Sequence, residues 1–145
     1  MTLDELLQMY EGDAVIVDAR LDTESINTPK LHHKYLTHLM RFRMKRVERE
    51  TLVNEMRTLR FRYYRGELSR DVLIEKGWEQ YQGLKPLKNE MEEILKGDVV
   101  LGKIKRELEY LNEMIYALEE ILKQIKARDW NIKSAIDFKR YLAGN

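Results

Sequence analysis

The longest regular pattern of apolar positions runs Leu101, Ile104, Leu108, Leu111, Ile115, Leu118, Leu122 and Ile125, in alternating steps of three and four. Such spacing places two alternating core positions on one face of a long helix, a heptad seam. Val100, Met114 and Ile121 widen the stripe along one side. A widened face of mixed Leu and Ile suits a bundle of several helices better than a two-stranded zipper. The seam has two readings: an oligomerisation surface built from these eight residues, or an amphipathic helix packed within its own chain. Asp98, just after Gly97, is placed to cap this helix. A final helix is expected to follow through Ile132, Ile136, Phe138 and Tyr141, ending near Gly144.

A second pattern occupies the middle of the chain. Thr28-Pro29 reads as an N-cap followed by proline at the first helical position, and neither Gly nor Pro follows until Gly66. Gly66 is suited to a left-handed helix stop. Leu36, Met40, Met44 and Val47 share one helical face, while Leu52, Met56, Leu59 and Tyr63 share another. The two faces are offset by roughly 130° at 3.6 residues per turn. A kink, a skip or a change of packing partner near Glu48–Thr51 would account for the offset, and a change of partner is the expectation. Short helices are expected over Ser69–Trp78 and Pro86–Lys96, and another over Leu3–Tyr10, followed by a brief β-like run at Ala14–Val17. The pattern predicts an all-α fold: an elongated helical protomer with a long basic helix and a C-terminal heptad helix.

Charge divides the chain further. Between Lys30 and Arg70 there are twelve Lys or Arg against four acids, a local +8 in a chain whose total is +1. Residues 1–27 carry seven acids and one arginine, and residues 71–145 are nearly balanced. Three segments follow: an acidic N-terminal segment (1–27), a basic helical DNA-binding region (28–70) and a helical oligomerisation region (71–145). Arginines interleave with aromatics from Arg57 to Arg65, a mixture that offers phosphate partners and stacking faces to an unpaired strand. The candidate DNA-binding residues are Arg41, Arg43, Lys45, Arg46, Arg49, Arg57, Arg60, Arg62, Tyr64 and Arg65. On a straight helix Phe42, Arg46, Arg49, Arg57, Arg60 and Tyr64 lie within about 80° of arc, long enough to follow several phosphates. A solvated face is the ordinary explanation of a charge run, but the acids that normally balance one are scarce here.

Other chemistry is poorly supported. The chain has no cysteine, so disulfides and thiolate metal sites are excluded. His32, His33 and His38 are the only histidines, and no two are four residues apart. Gly97–Lys103 has the spacing of a phosphate-binding loop, but Ile104 stands where Ser or Thr must hold magnesium. No metal, no cofactor and no enzymatic activity are expected. No apolar run is long enough for a membrane span, and the N-terminus lacks the features of a signal peptide, so a soluble intracellular protein is the expectation.

The order of elements, the Arg60-Phe61-Arg62-Tyr63-Tyr64-Arg65-Gly66 segment and the C-terminal end together resemble UvsY-like recombination mediators of T-even-type phages. The C-terminal likeness rests on Ile125-Lys126-Ala127-Arg128, then Ile132-Lys133, Ile136, Arg140 and Gly144. Leu3-Asp4-Glu5-Leu6 and the Leu31–Leu36 segment are also similar. The resemblance implies a non-catalytic protein that binds single-stranded DNA and helps a RecA-like recombinase load onto strands coated by single-strand-binding protein. It implies a ring-like homo-oligomer, a hexamer or heptamer, working in the cytoplasm of the phage-infected bacterial host. The family's Lys-Ala-Arg-Leu DNA-binding motif falls on Thr58-Leu59-Arg60-Phe61, where only the arginine is kept; Arg57 and Arg62 are placed to compensate. The alternatives are a helical scaffold or an RNA-binding oligomer without a recombination role.

Overall fold

A computed structural model describes residues 1–144, and its helices follow in the order α1 (Leu3–Asp13), α2 (Leu21–Tyr64), α3 (Arg70–Lys76), α4 (Met91–Lys96) and α5 (Val99–Leu142). No strand is present among the described residues, as the all-α pattern predicts. Helix α1 begins with a reciprocal capping box: the Glu5 amide donates to Thr2 Oγ1 at 3.2 Å, and the Thr2 amide donates to the Glu5 carboxylate at 2.7 Å. The expected β-like run at Ala14–Val17 is instead the end of α1 and the lead into a 3-10 turn at Asp18–Arg20. With no neighbouring strand to pair with, its apolar residues cannot build a ladder.

Helix α2 starts at Leu21, seven residues before the expected Thr28 cap, and Pro29 lies inside it. Proline removes one backbone hydrogen bond and crowds the preceding turn, so something else must hold that turn. Leu21, Glu24 and Thr28 do so by being buried at helical spacing. Thr28 is no cap: its hydroxyl donates back to the Glu24 carbonyl at 3.4 Å. Gly66 ends α2 at φ +70°, with the Glu67 amide donating to the Arg62 carbonyl, the left-handed stop expected of it. Ser69 caps α3 through the Val72 amide, and Gly77 closes it. Helix α4 is shorter than expected because Leu87–Glu90 forms a turn, in which the Glu90 carboxylate accepts the Leu87 amide. The separate final helix is absent. Helix α5 runs unbroken to Leu142, since nothing after Gly102 breaks it and Ile125, Arg128 and Ile132 continue its buried register.

The chain divides into two compact units, one made of Met1–Met44 with the chain from Leu111 onward, the other of Lys45–Tyr110. Both long helices therefore contribute to both units. The sequence-derived boundary at 27/28 falls inside α2, so it is not a boundary between units. In the first unit, Leu6, Tyr35, Leu39 and Phe42 bury against Met114, Ile115, Leu118, Ile121, Leu122 and Ile125. The second unit has a thinner core of Met91, Leu95 and Leu101, flanked by Val53, Met56 and Tyr64.

The division between units on α2, at Met44/Lys45, lies a few residues before the change of partner expected near Glu48–Thr51, and of the expected first face only Leu36 packs on the core. Met40, Met44 and Val47 are exposed, Met44 by 64%. Tyr35, Leu39 and Phe42 point inward instead. On the second face Leu52 is likewise exposed, whereas Met56 packs on the core as expected. The seam of α5 packs within its own chain over part of its length. Leu101, Ile115, Leu118, Leu122 and Ile125 are buried within one chain, and Ile104, Leu108 and Leu111 are half-buried. Five of the eight residues assigned to oligomerisation thus have their apolar surface covered before any second copy arrives.

Candidate nucleic-acid interface

The arginine stripe on α2 proves to be largely an inward one. Phe42 at its start and Arg60 near its end are both buried, and Arg46 and Arg49 between them are half-buried. A helix face shared with core residues must point toward its packing partners, and the partners here are acidic. In the first unit Arg43 Nη2 donates to Glu119 at 3.0 Å. In the second, Arg49 Nη1 donates to Glu107 at 2.7 Å and Arg57 Nη2 to Glu92 at 3.1 Å. Arg46 approaches Glu50 one turn on at 3.9 Å, and Arg65 Nε meets Glu67 at 2.8 Å.

Arg60 is only 8% exposed. Its Nε and Nη2 both reach Asp98 Oδ2 at 2.9 Å. Aromatic rings cover the guanidinium: its central carbon lies 4.2 Å from the centroid of Tyr63, 4.6 Å from Trp78 and 5.3 Å from Tyr64. Tyr64 donates its hydroxyl to Asp98 at 2.5 Å, and Tyr63 donates to the Glu79 carbonyl at 2.8 Å. Tyr81 packs against both tyrosines. Of the sequence candidates, Arg60 is thus buried and Tyr64 half-buried in one cluster around Asp98, and a guanidinium faced by three rings and a carboxylate is poorly placed to meet phosphate.

Asp98 ties this cluster to α5. Its Oδ1 accepts the Leu101 amide at 2.8 Å, the cap expected of it. Burial alone would raise the pKa of its carboxyl, but the Leu101 amide, the Tyr64 hydroxyl and Arg60 outweigh burial and hold it below the usual carboxylate range. Burial and Asp98 together push the Tyr64 phenol up.

Arg41, Lys45 and Arg62 are exposed, and Arg41 and Arg62 have no carboxylate partner among the described residues. Of the ten sequence candidates, then, these three together with the loosely paired Arg57 and Arg65 present charge to solvent. Three residues outside that set join them. Phe61, 37% exposed, lines a cleft of about 610 Å3 in the second unit together with Lys85, Lys88, Arg57 and Arg65. A signal for the two lysines exists in Lys85-Pro86-Leu87-Lys88, a small basic pair isolated from the main run. Among the described residues no group of three or more His, Asp or Glu could hold a metal ion, and no helix is long and apolar enough to cross a membrane.

Comparison with known proteins gives this geometry a context. The family model described as "Recombination, repair and ssDNA binding protein UvsY" matches residues 9–145. Crystal structures of the bacteriophage T4 recombination mediator protein UvsY share the fold. Lattice type II matches with a TM-score of 0.86 at 23% identity, over 99% of this chain and 98% of that one. Lattice type IV matches with a TM-score of 0.81 at 22% identity, over 97% and 98%. No curated protein sequence is matched. Because the family model spans nearly the whole sequence, the chain belongs to the UvsY family.

Proposed function

We propose that this protein is a recombination mediator: it binds single-stranded DNA and promotes loading of a RecA-like recombinase onto strands coated by single-strand-binding protein. Family membership supports the reading, and so does the exposed set of cations at the end of α2 and on the Lys85–Lys88 segment. The protein acts without catalysis, through partners: the strand, the recombinase, the single-strand-binding protein and further copies of itself. Its place of action is the cytoplasm of a phage-infected host. Within this reading, residues 1–27, 28–70 and 71–145 are divisions of function rather than of folding.

Assembly into a hexamer or heptamer would multiply a modest DNA site, and multivalency raises avidity by orders of magnitude without new contacts. The part of α5 fit for the purpose lies beyond the buried seam, where Trp130, Phe138 and Tyr141 are exposed. These three residues fall within about 80° of arc on one helix. A titration of labelled oligonucleotide across salt, read by anisotropy, tests the DNA-binding reading. Affinity for single strands should exceed that for duplex and fall steeply with salt. Equal affinity for duplex, or none for either, would overturn it. A chain that scatters light as a monomer would remove the ring.

A further inference from the structure

The Phe61 cleft opens between the last turns of α2 and the segment running from Lys85 into α4. We infer that it is a subsite for one nucleotide of a single strand, with Phe61 stacking on the base and Arg65, Lys85 and Lys88 holding the flanking phosphates. The inference rests on the DNA-binding reading above and adds where on this chain a base is taken up.

Charge complementarity selects the occupant. Four cations line the cleft, Arg57, Arg65, Lys85 and Lys88, against the single carboxylate of Glu92. Lys85 and Lys88 have no carboxylate partner among the described residues. Glu92 pairs with Arg57, but both side chains are largely exposed, 48% and 71%. Ion pairs in that setting contribute little, so an incoming phosphate can exchange for the carboxylate on Arg57 at small cost. Arg65 also meets Glu67 at the surface, a pair of the same weak kind.

The aromatic component distinguishes a nucleotide from a bare anion. Phe61 is the one ring of the Phe61–Tyr64 run outside the cluster around Arg60, and it stays exposed on a chain segment where an apolar ring gains nothing from water. The Arg65 guanidinium lies 5.5 Å from its centroid, a cation–π contact that steadies the ring. Met91 and Leu95 give the cleft an apolar floor. A volume of about 610 Å3 is within the range of small-molecule pockets, enough for one nucleotide and too little for a run of them. A base within duplex has both faces stacked and would have to leave the helix to reach Phe61, so the cleft favours unpaired strands.

The test compares wild type, Phe61→Leu and the double variant Lys85→Gln/Lys88→Gln in oligonucleotide titrations across salt. It adds photocrosslinking to a strand carrying 5-iodouracil. Leucine keeps the apolar volume and the two lysines are exposed, so circular dichroism should show both variants folded. Phe61→Leu should bind about five- to tenfold more weakly and lose the crosslink, which in wild type maps to residue 61. The lysine variant should flatten the slope of log affinity against log salt by about 1.4, two phosphate contacts on a single strand. Wild-type affinity and slope in both variants, or a crosslink mapping elsewhere, would overturn the subsite while DNA binding stands. If wild type itself binds no single strand, the wider reading falls first, and the subsite with it.

Discussion

Arg128 in the first unit and Arg60 in the second are both nearly withdrawn from water, each onto one carboxylate, yet their surroundings differ. Arg128 is 5% exposed and pairs with the buried Glu24 through Nη2. Its Nη1 reaches the Asp13 carbonyl at 3.4 Å, and its Nε has no hydrogen-bond partner. Arg60 instead has aromatic rings on its faces and two nitrogens on Asp98, which itself accepts two further donors. The contrast follows the apolar cores. Ten buried residues form the core of the first unit, which can carry an imperfectly satisfied ion pair. Three form that of the second, so there the arginine, its carboxylate and its rings take over part of the role of a hydrophobic core. The same residue type is an insertion into one core and a constituent of the other.

Removing the carboxylates separates the two cases most strongly. Asp98→Ala leaves a buried guanidinium unpaired, about 3–5 kcal/mol, and strips the first turn of α5 of its cap, about 1 kcal/mol more. Glu24→Ala should cost less, about 3 kcal/mol, because Arg128 keeps its contact with the Asp13 carbonyl. Urea unfolding would measure both, and a loss below about 1 kcal/mol at Asp98 would end the comparison. Exchanging each whole pair for apolar residues sharpens it. Glu24→Leu with Arg128→Met should be neutral or mildly stabilising, as buried pairs replaced by packed hydrophobes often are. Arg60→Met with Asp98→Leu should still cost about 1–2 kcal/mol, since the Leu101 amide loses its acceptor.

Acid gives a smaller effect with a defined sign. The folded Asp98 carboxyl titrates below its unfolded value of about 3.9. Its stabilisation is therefore complete above that value and is lost as pH falls through the lower, folded one. Asp13 behaves alike: burial would raise it, but hydrogen bonds from Lys34 and Tyr35 outweigh burial and lower it. The contribution of these two carboxyls to melting temperature should thus be constant above pH of about 5 and decline below about 4, and Asp98→Asn should flatten that decline. His38, held below its ordinary value by burial and by Arg41 and Lys34, adds a separate loss as pH falls through about 6.5. The smallest expected changes are at the half-exposed pairs. Arg43→Gln and Arg49→Gln should each alter stability by no more than about 1 kcal/mol.

Local signals in the sequence located what local chemistry determines. Gly66, Ser69 and Asp98 act at the helix ends where their residue types place them. The start of α2 was not legible, because two of the residues that hold it, Glu24 and Thr28, are polar and break the apolar stripe. The basic stripe misled for a related reason. Acids are scarce within Lys30–Arg70, which makes the run look unbalanced. Four of its arginines, Arg43, Arg49, Arg57 and Arg60, find their carboxylates in Glu119, Glu107, Glu92 and Asp98, between 35 and 76 positions away along the chain. Charge balance is a property of the folded surface, and a sequence window cannot see it. The exposed Phe61 had the opposite fate: Tyr64 stands among the candidate contacts and Phe61 does not, yet the ring of Tyr64, like that of Tyr63, lies against Arg60.

The bonds at Asp98 also bear on the order of folding. One carboxylate joins positions 60 and 64 to positions 98 and 101, closing a loop of 38 residues whose ends must meet before either benefits. Such closure costs chain entropy early and returns it only when all the bonds form together. The first turn of α5 and the last turns of α2 are thereby expected to open together. The Leu101 amide, which donates to Asp98, becomes its clock: its hydrogen should exchange with solvent only as often as Arg60 leaves its place.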